Sequence, residues 1–180
     1  EMVAALSTFA NEGQYVKPQI ITRIEDKNGV VIFESMPETK DVVNKDVAYA
    51  VIKLMTGVTD GGTGARLRRG SAGFMSYNYS LQNEIAGKTG TSQNNSDGWF
   101  IGMVPNLAAG VWVGNEDRSA HFRRTYYGQG ATMALPIWGI FMEKCYKDKS
   151  LNISQERFPK PADMSIKVDC WTPRKVIDTT

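Results

Sequence analysis

Residues 85–114 constrain the fold of this chain more than any other stretch. Three strand-like runs, 85–91, 98–104 and 108–114, follow one another with short links. The last two are joined by Pro105-Asn106, which is tight-turn chemistry. A link that short cannot carry the chain back for a parallel pairing, so the runs predict an antiparallel sheet. The rest of the chain must cover that sheet.

The cover is readable on both sides. Met2–Ala10 carries apolar residues at helical spacing and ends before Gly13, a candidate C′ glycine. Residues 20–25 alternate, and Asn28-Gly29 then precedes Val30-Val31-Ile32-Phe33, a strong hairpin signal. A second helix is expected over 43–55, with Asn44 as N-cap, a stripe of Val47, Ala48, Val51, Ile52 and Met55, and a stop at Gly57. In the glycine-rich DGGTGARLRRG, Thr63 is placed to cap a short basic helix. Residues 73–83 are polar and aromatic and give no assignment. A last helix is expected over 135–146, with Pro136 in its first turn and Ile137, Phe141 and Cys145 as its stripe, Trp138 and Met142 beside it. Helices, a run of strands and a closing helix make an α+β pattern, an antiparallel sheet flanked by helices. Residues 1–147 are read as the folded portion, and 148–180, with Pro159, Pro161 and Pro173, as an extended peripheral tail.

Bulk properties exclude several functions. At 180 residues and 42% hydrophobic content the chain can bury a real core. Its 21 basic and 19 acidic residues give no case for nucleic acid or an anionic membrane. The clusters Arg66, Arg68, Arg69 and Arg123, Arg124 read as solvated rim. No segment approaches the roughly 20 apolar residues needed to span a bilayer. Cys145, Cys170 and His121 match no zinc pattern, so no metal or cofactor is implied. The two cysteines leave open a disulfide outside the cytoplasm or two free thiols. Nothing local supports a Cys–His catalytic pair. The opening EMVAALSTFANEG reads as helix rather than a translation start or export signal. Glu1 is therefore expected to be a cut end inside a longer protein.

Chemistry concentrates in AGKTGTSQNNSDGWFIG, residues 86–102. A phosphate-binding loop would need glycine where Gln82 stands and a helix after Thr91, and the sequence has neither. Lys-Thr-Gly alone is a short motif that chance can supply. Its physics still points one way. A strand lysine sets a fixed cation beside an anion or a developing negative charge. Thr89 and Thr91 share strand parity, so both hydroxyls can meet one carboxylate. Each hydrogen bond to such a charged group is worth about 1.5–3 kcal/mol. Gly90 has no side chain, which lets a peptide lie along the strand edge as an added strand.

The surroundings carry a specific resemblance. STFANEGQYVKPQIITRIEDKNGVVIFE, VAYAVIKLMTGVTDGGTGARLR, AGKTGTSQNNSDGWFIGMVPNLAAGVWVGNED and ALPIWGIFM occur in this order over nearly the whole chain. Together they resemble the C-terminal part of the transpeptidase domain of class A (bifunctional) penicillin-binding proteins, those of the 1A type above all. The resemblance implies a penicillin-binding/β-lactamase-like fold. It also implies a site built from Ser-x-x-Lys, Ser-x-Asn and Lys-Thr-Gly motifs. By that likeness Lys88 is catalytic, giving positive potential near the substrate carboxylate and the second-motif serine. Thr89, Gly90 and Thr91 bind the D-Ala-D-Ala stem peptide of peptidoglycan or a β-lactam. The Thr91 N–H is an oxyanion donor, a contribution of about 10²–10³ in rate. Asp97, Trp99 and Phe100 fit the family pattern as turn and core, and Gly128, Gly130 and Pro136 as architecture. Trp99 and Tyr126 are secondary candidates for substrate contact.

One departure is large. No Ser-x-x-Lys occurs in residues 1–180. Ser76-Tyr77-Asn78 and Ser92-Gln93-Asn94 fit Ser-x-Asn, but neither has the family's position far upstream of Lys-Thr-Gly, and both read as turn chemistry. The nucleophile, its base lysine and the second-motif serine are expected before Glu1. The chain alone is expected to be inactive, because a site without nucleophile or base cannot acylate. It is expected to pair with the upstream half of the same protein and to expose apolar surface that favours self-association. The parent is expected on the outer side of the inner membrane, anchored by a segment outside this chain. The rival readings are a non-catalytic peptide-binding or scaffolding relative, and a hydrolase of the same superfamily.

Overall fold

The structure is a computed structural model and describes residues 1–69, 71–72, 75–76 and 79–168, with backbone only at 69, 71, 72, 75 and 76. In chain order the elements are α1 (Met2–Ala10), β1 (Gln14–Val16), β2 (Arg23–Glu25), β3 (Val31–Glu34), β4 (Thr39–Asp41), α2 (Lys45–Asp60), α3 (Arg66–Arg69), β5 (Ser71–Ala72), β6 (Met75–Ser76), β7 (Ala86–Thr91), β8 (Asp97–Val104), β9 (Leu107–Gly114), α4 (Thr125–Gly128) and α5 (Gly130–Lys147). The expected sheet is present as β7-β8-β9, antiparallel throughout. The other strands form three two-stranded pairs: β1-β4, the Asn-Gly hairpin β2-β3, and β5-β6.

The two faces of the sheet follow from register. Cross-strand partners share a face. Thr91 pairs with Gly98, Thr89 with Phe100 and Gly87 with Gly102. That face meets α5, where Phe100 and Trp138 pack edge to face with centroids 5.3 Å apart. Glycine is required at the crossing. A Cβ on Gly102 would lie 2.5 Å from Trp138, and one on Gly98 would lie 2.4 Å from Met133. Trp138 Nε1 donates to the Ala109 carbonyl at 3.1 Å, which locks the helix onto β9. The opposite face carries Ala86 and Met103, which form a second core cluster with Ile52 and Met55 of α2 and with Phe158. Lys88 and Gly90 have the parity of this second face.

Several expectations are corrected. Gly13 is not the C′ residue of α1. Asn11 is the C-cap, Glu12 follows at φ +54°, and Gly13 closes the turn by donating to the Thr8 carbonyl. Its φ of +89°, and the Val43 carbonyl 1.9 Å from where a Cβ would sit, explain the glycine. The second helix begins at Lys45, runs through Gly57 and ends at Asp60, with Gly61 as C-cap. One glycine costs a helix interior only about 1 kcal/mol, and burial of Thr56 before it and Thr59 beyond it carries the helix on. The closing helix begins at Gly130, so Pro136 lies in its interior rather than its first turn. Its buried stripe is Ala134, Leu135, Trp138, Met142 and Cys145, while Ile137 and Phe141 are exposed. The helix is apolar nearly all round, and the glycine slots of β8 decide which face turns inward.

The 73–83 stretch is partly outside the described residues. Its described end buries Tyr79 and Leu81 in the α5 core. Past α5, residues 152–168 contain no helix or strand. They are not wholly peripheral, because Phe158 is buried and its N–H donates to Glu84 Oε2 at 2.8 Å. Cys145 is buried in α5, and Cys170 lies outside the described residues, so the disulfide alternative does too. Among the described residues no helix is long and apolar enough to cross a membrane.

Candidate active site

The predicted Lys-Thr-Gly-Thr run occupies β7, an edge strand of its sheet. Lys88 and Thr91 are exposed, while Thr89 and Gly90 are half-buried. The structure thus brings the four predicted site residues together on one accessible rim. Lys88 Nζ donates to the Thr89 carbonyl at 2.7 Å. Among the described residues no carboxylate forms an ion pair with Lys88, which leaves its charge unneutralised by the fold.

The two hydroxyls differ in their supports. Thr91 Oγ1 accepts from the Gly130 N–H at 3.0 Å. Gly130 is the first residue of α5, whose N-cap Gln129 makes no side-chain capping bond. The Thr91 hydroxyl therefore satisfies one of the donors that any helix start leaves without an intrahelical partner. Thr89 Oγ1 lies 2.8 Å from Thr63 Oγ1, with either oxygen able to donate. Thr63 was expected to cap α3. Its hydroxyl instead reaches across to β7, and α3 begins with backbone bonds from Leu67 to Gly64 and from Arg68 to Ala65.

The glycines of this turn explain how Thr63 gets there. The chain doubles back over the end of α2, with Gly62 donating to Gly57 and Gly64 to Val58. A Cβ at Gly62 would stand 2.9 Å from the Val58 backbone. The turn is then tied down on both sides. Arg66 reaches Thr132 Oγ1 and the Ala131 carbonyl in the first turn of α5. Arg68 Nη1 reaches the Leu81 and Asn83 carbonyls, and its Nη2 reaches Asp60 at 2.7 Å. Arg66 and Arg68, read from sequence as solvated rim, are structural clamps. The signal that could have found Thr63 is its place between glycines, which removes helical propensity and leaves the hydroxyl for tertiary use.

The other sequence candidates fall into structural roles. Ser92 donates to Asp97 Oδ2 at 2.7 Å and accepts from the Asp97 N–H at 2.9 Å. It closes the β7–β8 turn, where Asn94 and Asn95 adopt positive φ. The Asp97 carboxylate also receives Trp112 Nε1 at 3.1 Å and Ser96 Oγ at 3.2 Å. The Ser92 hydroxyl first, then the Trp112 indole, hold this carboxyl below the usual carboxylate range, with smaller help from Ser96 and Arg118. Ser76-Tyr77-Asn78 extends outside the described residues. A further Ser-x-Asn match, Ser150-Leu151-Asn152, is a turn bound to the Asp148 carboxylate. Trp99 and Tyr126 are both partly exposed; Trp99 packs against Trp112 with centroids 6.4 Å apart. His121 lies on an exposed loop. Among the described residues no group of three or more His, Cys, Asp or Glu side chains is arranged to hold a metal ion.

An accessible edge strand carrying an exposed lysine and two threonine hydroxyls, backed by a helix on one face of its sheet, is chemically able to receive an anion and an extended peptide. Comparison with known proteins places it more narrowly. Residues 1–134 match the penicillin-binding protein transpeptidase domain. The chain belongs to that family. It is 34% identical over 143 residues to penicillin-binding protein 1A of Clostridium acetobutylicum, covering 79% of this chain and 16% of that protein. It is likewise 34% identical over 143 residues to penicillin-binding protein 1A of Aquifex aeolicus, of which 18% is covered. Among solved structures, penicillin-binding protein 1A of Haemophilus influenzae superposes with a TM-score of 0.71 at 23% identity, over 89% of this chain and 27% of that one. A ceftriaxone acyl-enzyme complex of penicillin-binding protein A from M. tuberculosis gives a TM-score of 0.60 at 21% identity, over 78% of this chain and 30% of that one. These two likenesses establish the fold. The chain spans less than a third of the length of each of these relatives.

Proposed function

We propose that this chain is the Lys-Thr-Gly-bearing portion of a serine-type peptidoglycan D,D-transpeptidase. The observation that carries the reading is the run of Lys88, Thr89 and Thr91 along the accessible edge strand β7, the two hydroxyls on one face and the Lys88 ammonium turned back to the Thr89 carbonyl. A stem peptide ending in D-Ala-D-Ala lies along β7, its terminal carboxylate against the two hydroxyls and its backbone past Gly90. Lys88 holds positive potential beside that carboxylate. The Thr91 N–H helps stabilise the oxyanion of the acylation step. β-Lactams occupy the same place.

The nucleophilic serine and its base come from residues of the same protein that precede Glu1. Two facts support this: residues 1–180 contain no Ser-x-x-Lys, and the chain spans only a small share of its relatives. The serine attacks the carbonyl of the penultimate D-Ala, and the terminal D-Ala leaves as its amine takes a proton. A second stem-peptide amine then displaces the serine and forms the cross-link. Residues 1–147 serve as the catalytic portion and 148–180 as a C-terminal tail. The site works outside the cytoplasm, on the outer side of the inner membrane. The 180-residue chain by itself is inactive and prone to self-association through its exposed apolar side chains.

The test is D-Ala release by the full-length protein, with and without an acceptor amine. A transpeptidase releases D-Ala and joins the acyl group to the amine. Release with water as the only acceptor indicates a hydrolase. No release under either condition, from protein that is folded and carries its upstream residues, contradicts the enzyme reading and leaves a binding module.

A further inference from the structure

We propose that Thr63 is a positioning residue for carboxylate recognition, acting through Thr89. The inference rests on the reading of β7 as a carboxylate site. It starts from proton counting: a hydroxyl has one proton to donate and two lone pairs to accept with.

At Thr91 the direction is fixed. The Gly130 N–H can only donate, so Thr91 Oγ1 accepts from it and keeps its own proton for the exposed side. At Thr89 the partner is another hydroxyl, 2.8 Å away, and two arrangements exist. When Thr89 donates to Thr63, Thr89 presents only lone pairs to the cleft and repels an anion. When Thr63 donates to Thr89, the Thr89 proton is released outward, as at Thr91. A bound carboxylate selects the second arrangement. The two threonines then match: each accepts from behind and donates in front.

Thr63 is suited to this because its turn is held from several sides. Gly62 and Gly64 fold it onto the end of α2, Arg66 ties it to α5, and Arg68 ties it to Leu81, Asn83 and Asp60. Its hydroxyl therefore meets Thr89 without a large ordering cost on binding. The side chain is exposed, so replacing it does not open a cavity in the core.

The experiment uses the full-length protein with Thr63→Val and Thr63→Ser, and two probes: benzylpenicillin and its methyl ester. The readout is the second-order rate of acylation by each. The expected result is that Thr63→Val slows benzylpenicillin about three- to tenfold, the scale of one neutral hydrogen bond, because Thr89 loses the donor that fixes its own proton outward. The ester, which lacks the carboxylate charge, changes less than about twofold, and Thr63→Ser restores the acid rate. An equal loss with acid and ester overturns the proposal, because it indicates a structural defect. So does an unchanged acid-to-ester ratio in Thr63→Val, or a failure of serine to rescue. If the unaltered protein fails to acylate, or treats acid and ester alike, the carboxylate reading of β7 falls first and takes the inference with it.

Discussion

The backbone N–H of Gly130 donates to the Thr91 hydroxyl at 3.0 Å, so the last residue of the site strand caps the first residue of the closing helix. One bond thereby links the Lys-Thr-Gly strand to the packing of α5 on the sheet. Gly130 sits so close to β7 and β8 that a Cβ there would lie 2.3 Å from the Trp99 carbonyl and 2.4 Å from the Gly90 carbonyl.

Gly130→Ala must therefore push the start of α5 away from the strands. Overpacking of this kind destabilises by roughly 1–3 kcal/mol. Thr91→Val removes the cap without the clash, and loss of a cap costs about 1 kcal/mol. Urea denaturation of both variants checks the order, with Gly130→Ala the more destabilised. Equal stability of Gly130→Ala and the unaltered protein would contradict the close approach.

Among the described residues Trp138 is the largest side chain wholly removed from solvent, and it joins α5 to both β8 and β9. Trp138→Ala is expected to destabilise by about 3–5 kcal/mol through the cavity it leaves. Trp138→Phe keeps most of the ring contact and leaves the Ala109 carbonyl without its indole donor, a loss of about 1–3 kcal/mol. Thermal denaturation of the two variants measures the difference.

Phe158 predicts that the segment after α5 contributes to stability. Its ring is buried against Ile52 and Met103, and its N–H is held by Glu84, which also pairs with Lys53 at 3.1 Å. Phe158→Ala is expected to destabilise by about 3–5 kcal/mol. A change within about 0.5 kcal/mol, the range of ordinary surface substitutions, would show that the segment is dispensable.

Asp97 predicts an acid-labile turn. Its folded pKa is depressed by Ser92 and Trp112, so in the folded state it binds its proton less readily than in the unfolded chain. The stabilisation is complete above the unfolded value of about 3.9 and is lost as pH falls through the lower folded value. Asp97→Asn should therefore flatten the acid limb of the stability profile. Urea midpoints measured from about pH 5 down to about pH 2 check this, and an unchanged acid limb would contradict it.

The sequence made the central sheet legible because short links and strand-length runs leave few alternatives. The hairpin was legible from Asn28-Gly29, whose turn closes with Asp26 and Val30 bonded in both the main chain and the Asp26 side chain. The start of α5 was not legible. Gly130 is small because β7 and β8 press against it, and local propensity carries no trace of that pressure. Nor could periodicity choose between the Trp138 and Ile137 faces, since both are apolar; the slots at Gly98 and Gly102 decide it. Lys88, Thr89, Gly90 and Thr91 were readable as a strand rim. Thr63 was misplaced because a threonine before a short helix follows the capping rule locally, whereas its partner lies 26 positions further along the chain.

The most direct test of the account is the intact mass of the protein after incubation with benzylpenicillin. Three samples are needed: the full-length protein, its Lys88→Ala variant, and the 180-residue chain alone. The account predicts one covalent penicilloyl adduct on the full-length protein. It predicts acylation slowed by at least about 10² in Lys88→Ala, on the scale of losing one preorganised electrostatic partner. It predicts no adduct on the chain alone. An adduct on the isolated chain, or folded full-length protein that takes none, would contradict it.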